Sequence, residues 1–100
     1  MRYLKLREVC VRLDIDEDLL ATLSREGLVK VKNTLEDEPV VSAADAERLR
    51  VIVLLMREMD VNLPGVEVIM HMREDLFSLQ SQFDEILRTL VEELRKRAVE

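Results

Sequence analysis

One hundred residues with 48% hydrophobic side chains make one domain, or one small domain with a helical extension. Three aromatics (Tyr3, Phe77 and Phe83), no Trp and the single Cys10 leave no material for an aromatic-walled ligand pocket or an internal disulfide. The net charge of −6 is unevenly placed: residues 1–13 hold Arg2, Lys5, Arg7 and Arg12 against Glu8, while residues 14–38 hold eight acids against Arg25, Lys30 and Lys32. Such an acidic segment repels phosphate and attracts a basic protein surface.

Tyr3-Leu4-Lys5-Leu6 alternates as a short strand would and leads into a first helix, Arg7 to Leu13, with Val9, Cys10 and Leu13 at helical spacing. Asp14-Ile15-Asp16 breaks that pattern. Asp16 is placed to cap a second helix, Glu17 to Glu26, with Leu19, Leu20 and Leu23 on its buried side and Gly27 at its end. Two short helices joined by a turn read as a helix-turn-helix. Leu28 to Lys32 alternates as a strand, Asn33 to Glu38 is a polar turn, and Pro39-Val40-Val41 returns as an edge strand, a β-hairpin wing. Ser42 caps a third helix, with Asp45 as the capping-box partner, and this central core helix runs to about Met59.

After Asp60-Val61, Asn62 caps a fourth helix with Pro64 tolerated in its first turn. No further Pro or Gly follows Gly65. Ile69, Met72, Leu76, Leu79, Phe83, Ile86 and Leu90 recur at spacings of three and four, a heptad seam. At 1.5 Å per residue this helix is about 45–50 Å long, more than a domain of this size can cover. The seam Leu76, Leu79, Phe83, Ile86 and Leu90 is therefore expected to meet a second copy of the chain. Towards the end Leu87, Val91 and Leu94 join the stripe while Glu93 takes a seam position; parallel and antiparallel pairing both remain open. The domain reading is residues 1–61 for the winged helix-turn-helix and residues 62–100 for a long helix that packs on it and forms a dimer coiled coil.

No nucleophile–base pair, catalytic carboxylate pair or phosphate-cradling glycine loop is visible, so neither an enzyme nor a cofactor is expected. His71, the only histidine, lies off the seam and has no metal-ligand partner in a suitable spacing; no metal is expected. Cys10 reads as a structural thiol, and Met56, Met59, Met70 and Met72 as core. The longest apolar run, Val51 to Met56, is too short to span a membrane. The N-terminus has no apolar signal region, and with one cysteine a cytoplasmic location is expected.

The order helix, helix, wing, helix, long helix resembles the MerR-type winged helix-turn-helix. Leu6 to Leu13, Ile15-Asp16 with Leu19-Leu20, Glu26-Gly27-Leu28-Val29 and Val41-Ser42-Ala43-Ala44-Asp45 with Leu49 carry the likeness. The fold class is mainly α, with a small β-hairpin wing and a long C-terminal dimerisation helix. DNA-binding members carry an arginine followed by aromatics before the "G-L" step, whereas residues 20–26 hold no aromatic, and the wing tip has Glu36, Asp37 and Glu38. Within the superfamily, Met59 to Ile69 with Pro64-Gly65, followed by Met72, Asp75-Leu76 and Leu79, is similar to the chaperone-modulator family of CbpM type. That likeness implies a partner: the J-domain of a DnaJ-like co-chaperone of the CbpA type, whose cooperation with DnaK the modulator blocks.

J-domains present a basic helix, so the implied contact is acidic: Asp14, Asp16, Glu17, Asp18 and Glu26 around the second helix, and Glu36, Asp37 and Glu38 on the wing. The alternative is a MerR-type dimeric DNA-binding transcriptional regulator, with Arg7, Arg12, Lys30 and Lys32 as candidate DNA contacts. Nucleic acid is a partner only under that alternative, and a dimeric adaptor for an unrelated protein is a third reading.

Overall fold

In the computed structural model, which describes residues 2–99, Tyr3–Lys5 forms β1 and passes directly into α1, Leu6–Leu13. α1 stops because Asp14 turns left-handed (φ 54°), which lets the Ile15 amide donate back to the Cys10 carbonyl at 2.9 Å. The Arg57 guanidinium donates to the Leu13 carbonyl at 2.8 Å and also to that of Asp14, so the exposed carbonyl end of α1 meets a cation. α2 is Glu17–Arg25, started by the Asp16 carboxylate, which accepts from the Leu19 amide at 2.7 Å. It ends in a Schellman turn: Gly27 has φ 75°, and the Leu28 amide donates to the Leu23 carbonyl at 2.9 Å.

Two expectations for the wing are corrected. The segment 28–32 is not a strand; β2 is only Lys32–Asn33. Leu28 and Val29 are both buried, so these neighbours do not alternate. Their stretch is held by the start of the next helix instead: the Lys30 amide donates to Asp45 Oδ2 at 3.1 Å and the Leu28 carbonyl accepts from Arg48 Nε at 3.1 Å. Those side chains take polar groups that a strand neighbour would otherwise have to satisfy. The second correction concerns β3, Pro39–Ser42, which is central rather than an edge. β1 pairs antiparallel on one side of it (Leu4 opposite Val41) and β2 on the other (Asn33 opposite Pro39). Pro39 is tolerated because it is the first residue of the strand.

α3 is Ala43–Arg57, capped by Ser42 Oγ, which accepts from the Asp45 amide at 3.0 Å. Asp45 does not complete a capping box; its carboxylate serves Lys30 and pairs with Arg48 at 3.9 Å. Leu49, Ile52 and Leu55 recur every three residues on the buried stripe of α3, and with Leu23, Val41 and Val66 they make the centre of the core. α4, Leu63–Val99, opens with the Asn62 side chain accepting from the Gly65 amide at 2.9 Å. A Cβ at Gly65 would stand 2.8 Å from Val61 Cγ1 and 3.1 Å from that capping oxygen, which is why glycine follows Pro64 here.

Two compact units are distinguished, one extending to Glu67 and holding every element up to the first turn of α4, the other starting at Val68. The second unit is the remainder of α4. Every described residue from Glu74 to Val99 is exposed. Its internal contacts are those of a lone helix: Arg73 lies over the Phe77 ring at 4.7 Å, Gln82 reaches Ser78 and Lys96 reaches Glu93. Met59 and Met72, expected in the core, are exposed, and Cys10 is half-buried.

Candidate functional site

The turn between α1 and α2 and the start of β3 enclose a groove of about 640 Å³. Leu6, Cys10, Val11, Ile15, Leu20 and Pro39 supply its apolar lining. Asp14, Asp16, Glu17 and Glu38 add four carboxylates, against which only Arg7 lines it with positive charge. Residues far apart in sequence meet here because β3 runs beside β1, and β1 leads directly into α1.

Four of the eight acids singled out in the sequence thus converge, and several have structural work as well. Asp14 holds the left-handed end of α1 and Asp16 caps α2. Glu38 pairs with Lys5 at 3.7 Å, its amide donates to Thr34 Oγ1 and its carbonyl accepts from the Thr34 amide, which fixes the wing turn. Glu17 lies exposed in the first turn of α2, where the helix dipole favours negative charge. Asp18, Glu26, Glu36 and Asp37 do not line the groove. Asp37 instead takes the left-handed conformation (φ 61°) that closes the wing, beside a fully exposed Leu35.

The four candidate DNA cations are not gathered in one place. Arg7 lines the groove, whereas Arg12 lines a smaller hollow with Glu8 and Glu47. Lys32 is engaged by Tyr3: its ammonium lies 5.6 Å from the ring centre and 3.4 Å from the hydroxyl. Lys30 is exposed. α2, the helix that a helix-turn-helix presents to a duplex, has Arg25 as its only cation, and that guanidinium is 3.4 Å from Thr22 Oγ1.

Sequence reasoning missed the groove lining. Val11 carried the signal: it is apolar, yet falls off the stripe set by Val9, Cys10 and Leu13, and it is 78% exposed. Burial pushes the Cys10 thiol above its ordinary pKa, which lowers its reactivity.

At the end of α2, Glu26 shares a hydrogen bond with Glu67 of α4. This bond, with some burial and the repulsion of the second carboxylate, raises the Glu67 pKa. The raised folded-state pKa makes this contact favourable below the ordinary carboxylate pKa, and the benefit is lost as pH rises through the folded value. Glu67→Gln is therefore expected to raise the thermal midpoint near neutral pH and to lose that advantage near pH 4, as read by circular dichroism at the two pH values.

Leu76, Leu79, Phe83, Ile86 and Leu90 lie along the second unit, between 54% and 65% exposed. An exposed apolar row of this length is a candidate interaction surface. Among the described residues no group of His, Cys, Asp and Glu is arranged to hold a metal, and no helix is long and apolar enough to cross a membrane.

Comparison with known proteins adds one match, to the family described as MerR HTH family regulatory protein, over residues 4–89. No curated protein and no solved structure matches the chain. The match takes in both helices of the helix-turn-helix, the three-stranded sheet, α3 and most of α4, and the chain belongs to the MerR HTH family of regulatory proteins.

Proposed function

We propose that this chain is a chaperone modulator: a dimer that binds the J-domain of a DnaJ-like co-chaperone and keeps it from working with DnaK. It carries out no chemistry of its own. The observation that supports this most is the convergence of Asp14, Asp16, Glu17 and Glu38 on one apolar groove. A surface of that kind steers a basic helix and holds it by a few apolar anchors. The same carboxylates are poor neighbours for a phosphate backbone.

Dimerisation belongs to the same reading. Three pairs of apolar positions in α4 are symmetric about residue 85: Leu76 mirrors Leu94, Leu79 mirrors Val91, and Phe83 mirrors Leu87. An antiparallel pair centred there brings Arg95 level with Asp75 and Lys96 level with Glu74 of the other copy, while Arg97 falls level with Arg73. A parallel pair would stack the three cations on their own copies, at a cost.

A second reading, compatible with the family match, is a dimeric DNA-binding transcriptional regulator. Calorimetry at about 0.15 M salt separates the two, since non-specific DNA binding is strongly salt-dependent. The full chain is titrated with a J-domain and, in parallel, with duplex DNA. Saturable J-domain binding without DNA heat is the expected result. Salt-sensitive DNA binding without J-domain heat overturns the proposal.

A further inference from the structure

We infer that the groove between α1, α2 and the start of β3 seats an apolar side chain of a basic amphipathic helix, with lysine or arginine residues of that helix meeting the acidic rim. This deepens the chaperone-modulator reading and rests on it, because the J-domain is the partner that would supply the helix.

Three observations select that occupant. The lining is apolar and includes Val11, which is 78% exposed, so it gains by being covered. The rim is net negative, and among the described residues Glu17 has no ion-pair partner. Finally, no buried side-chain polar atom among the described residues lacks a hydrogen bond, so nothing inside the groove waits to orient a small polar ligand. The polar groups stand at the rim, where a macromolecule would place its own charges. A second copy of this chain, carrying −6, or an anionic membrane would meet repulsion at the same rim.

The test uses the full chain and a J-domain of a DnaJ-like protein. Val11→Arg places bulk and positive charge on the lining, and Glu17→Lys reverses the rim; both sites are exposed helix surface, and circular dichroism checks the fold. Each is expected to weaken J-domain binding by about tenfold or more, whereas Leu35→Ser at the wing tip changes it by less than about twofold. A second readout needs no variant. Cys10 is the only cysteine and lines the groove, so saturating J-domain should slow its alkylation by a small maleimide, followed by mass spectrometry of this chain. Wild-type binding with both variants unaffected, or with Cys10 alkylated at the free rate in the saturated complex, overturns the groove and leaves the modulator reading standing. Loss of binding in Leu35→Ser alone also overturns it, moving the contact to the wing. Absence of any J-domain binding by the wild-type chain overturns both.

Discussion

The double variant Leu79→Asp, Phe83→Asp is expected to be a monomer at micromolar concentration, where the parent chain is expected to be the proposed dimer. Both residues lie in the row of large apolar side chains that α4 exposes. In an antiparallel pair centred near residue 85 both fall inside the contact, so each dimer would bury four carboxylates. Burying an unpaired carboxylate costs several kcal/mol even after relaxation. Four together exceed what a two-helix contact can offset once the loss of translational and rotational freedom is included. Light scattering coupled to size exclusion reads the mass directly. An unchanged dimer mass would show that the seam is not the contact. The substitutions sit on the exposed part of α4, so the core around Leu49 should keep its own unfolding transition.

Leu49→Ala should act on the other unit and in the opposite manner, lowering stability without altering the seam. Leu49 is completely buried in α3, in a core whose centre it shares with Leu23, Val41, Ile52 and Val66. Removing a buried leucine side chain costs the lost transfer energy plus the cavity, about 2–5 kcal/mol. A domain of this size is stable by about 5–15 kcal/mol, so the loss is a large fraction of the whole. At about 4–8 °C per kcal/mol the thermal midpoint should fall by roughly 8–40 °C. Comparison at one fixed chain concentration is required, because the proposed dimerisation would make the midpoint depend on concentration. A fall of only one or two degrees would mean that the core can collapse around the cavity or that Leu49 is not at its centre.

The two variants probe the two sources of order in this chain. A small core holds the helices and sheet of the first unit, where the Arg57 guanidinium ties the end of α1 to α3. From Glu74 to Val99 every described residue of α4 is exposed. An isolated helix gains little from propensity alone, and its stability in water comes mostly from a packed face. The exposed seam is therefore as informative about assembly as the buried leucines are about folding.

Local signals were legible in the amino-acid sequence. Asp16, Ser42 and Asn62 each cap a helix by accepting from an amide three residues on, and Gly27 ends a helix through its own φ, so the deciding atoms are all near in the chain. The apolar period of α4 is likewise a property of one segment, as is the helix-turn-helix order that places the chain in its family. The extent of β2, the place of β3 and the groove depended on distant residues. Leu28 to Lys32 has the alternation of a strand, but the Leu28 carbonyl and the Lys30 amide are claimed by Arg48 and Asp45, 20 and 15 residues further on. Pro39 suits an edge strand until β1 comes to lie along β3 and makes it the middle one. Asp14, Glu17 and Glu38 share a rim only because that sheet carries the wing beside α1. Sequence therefore determined the helices, their caps and the family, since short-range hydrogen bonds and periodicity suffice for these. Tertiary structure alone decided where the backbone of residues 28–30 finds its partners and which acids stand together, because both depend on contacts between segments that only folding brings within reach.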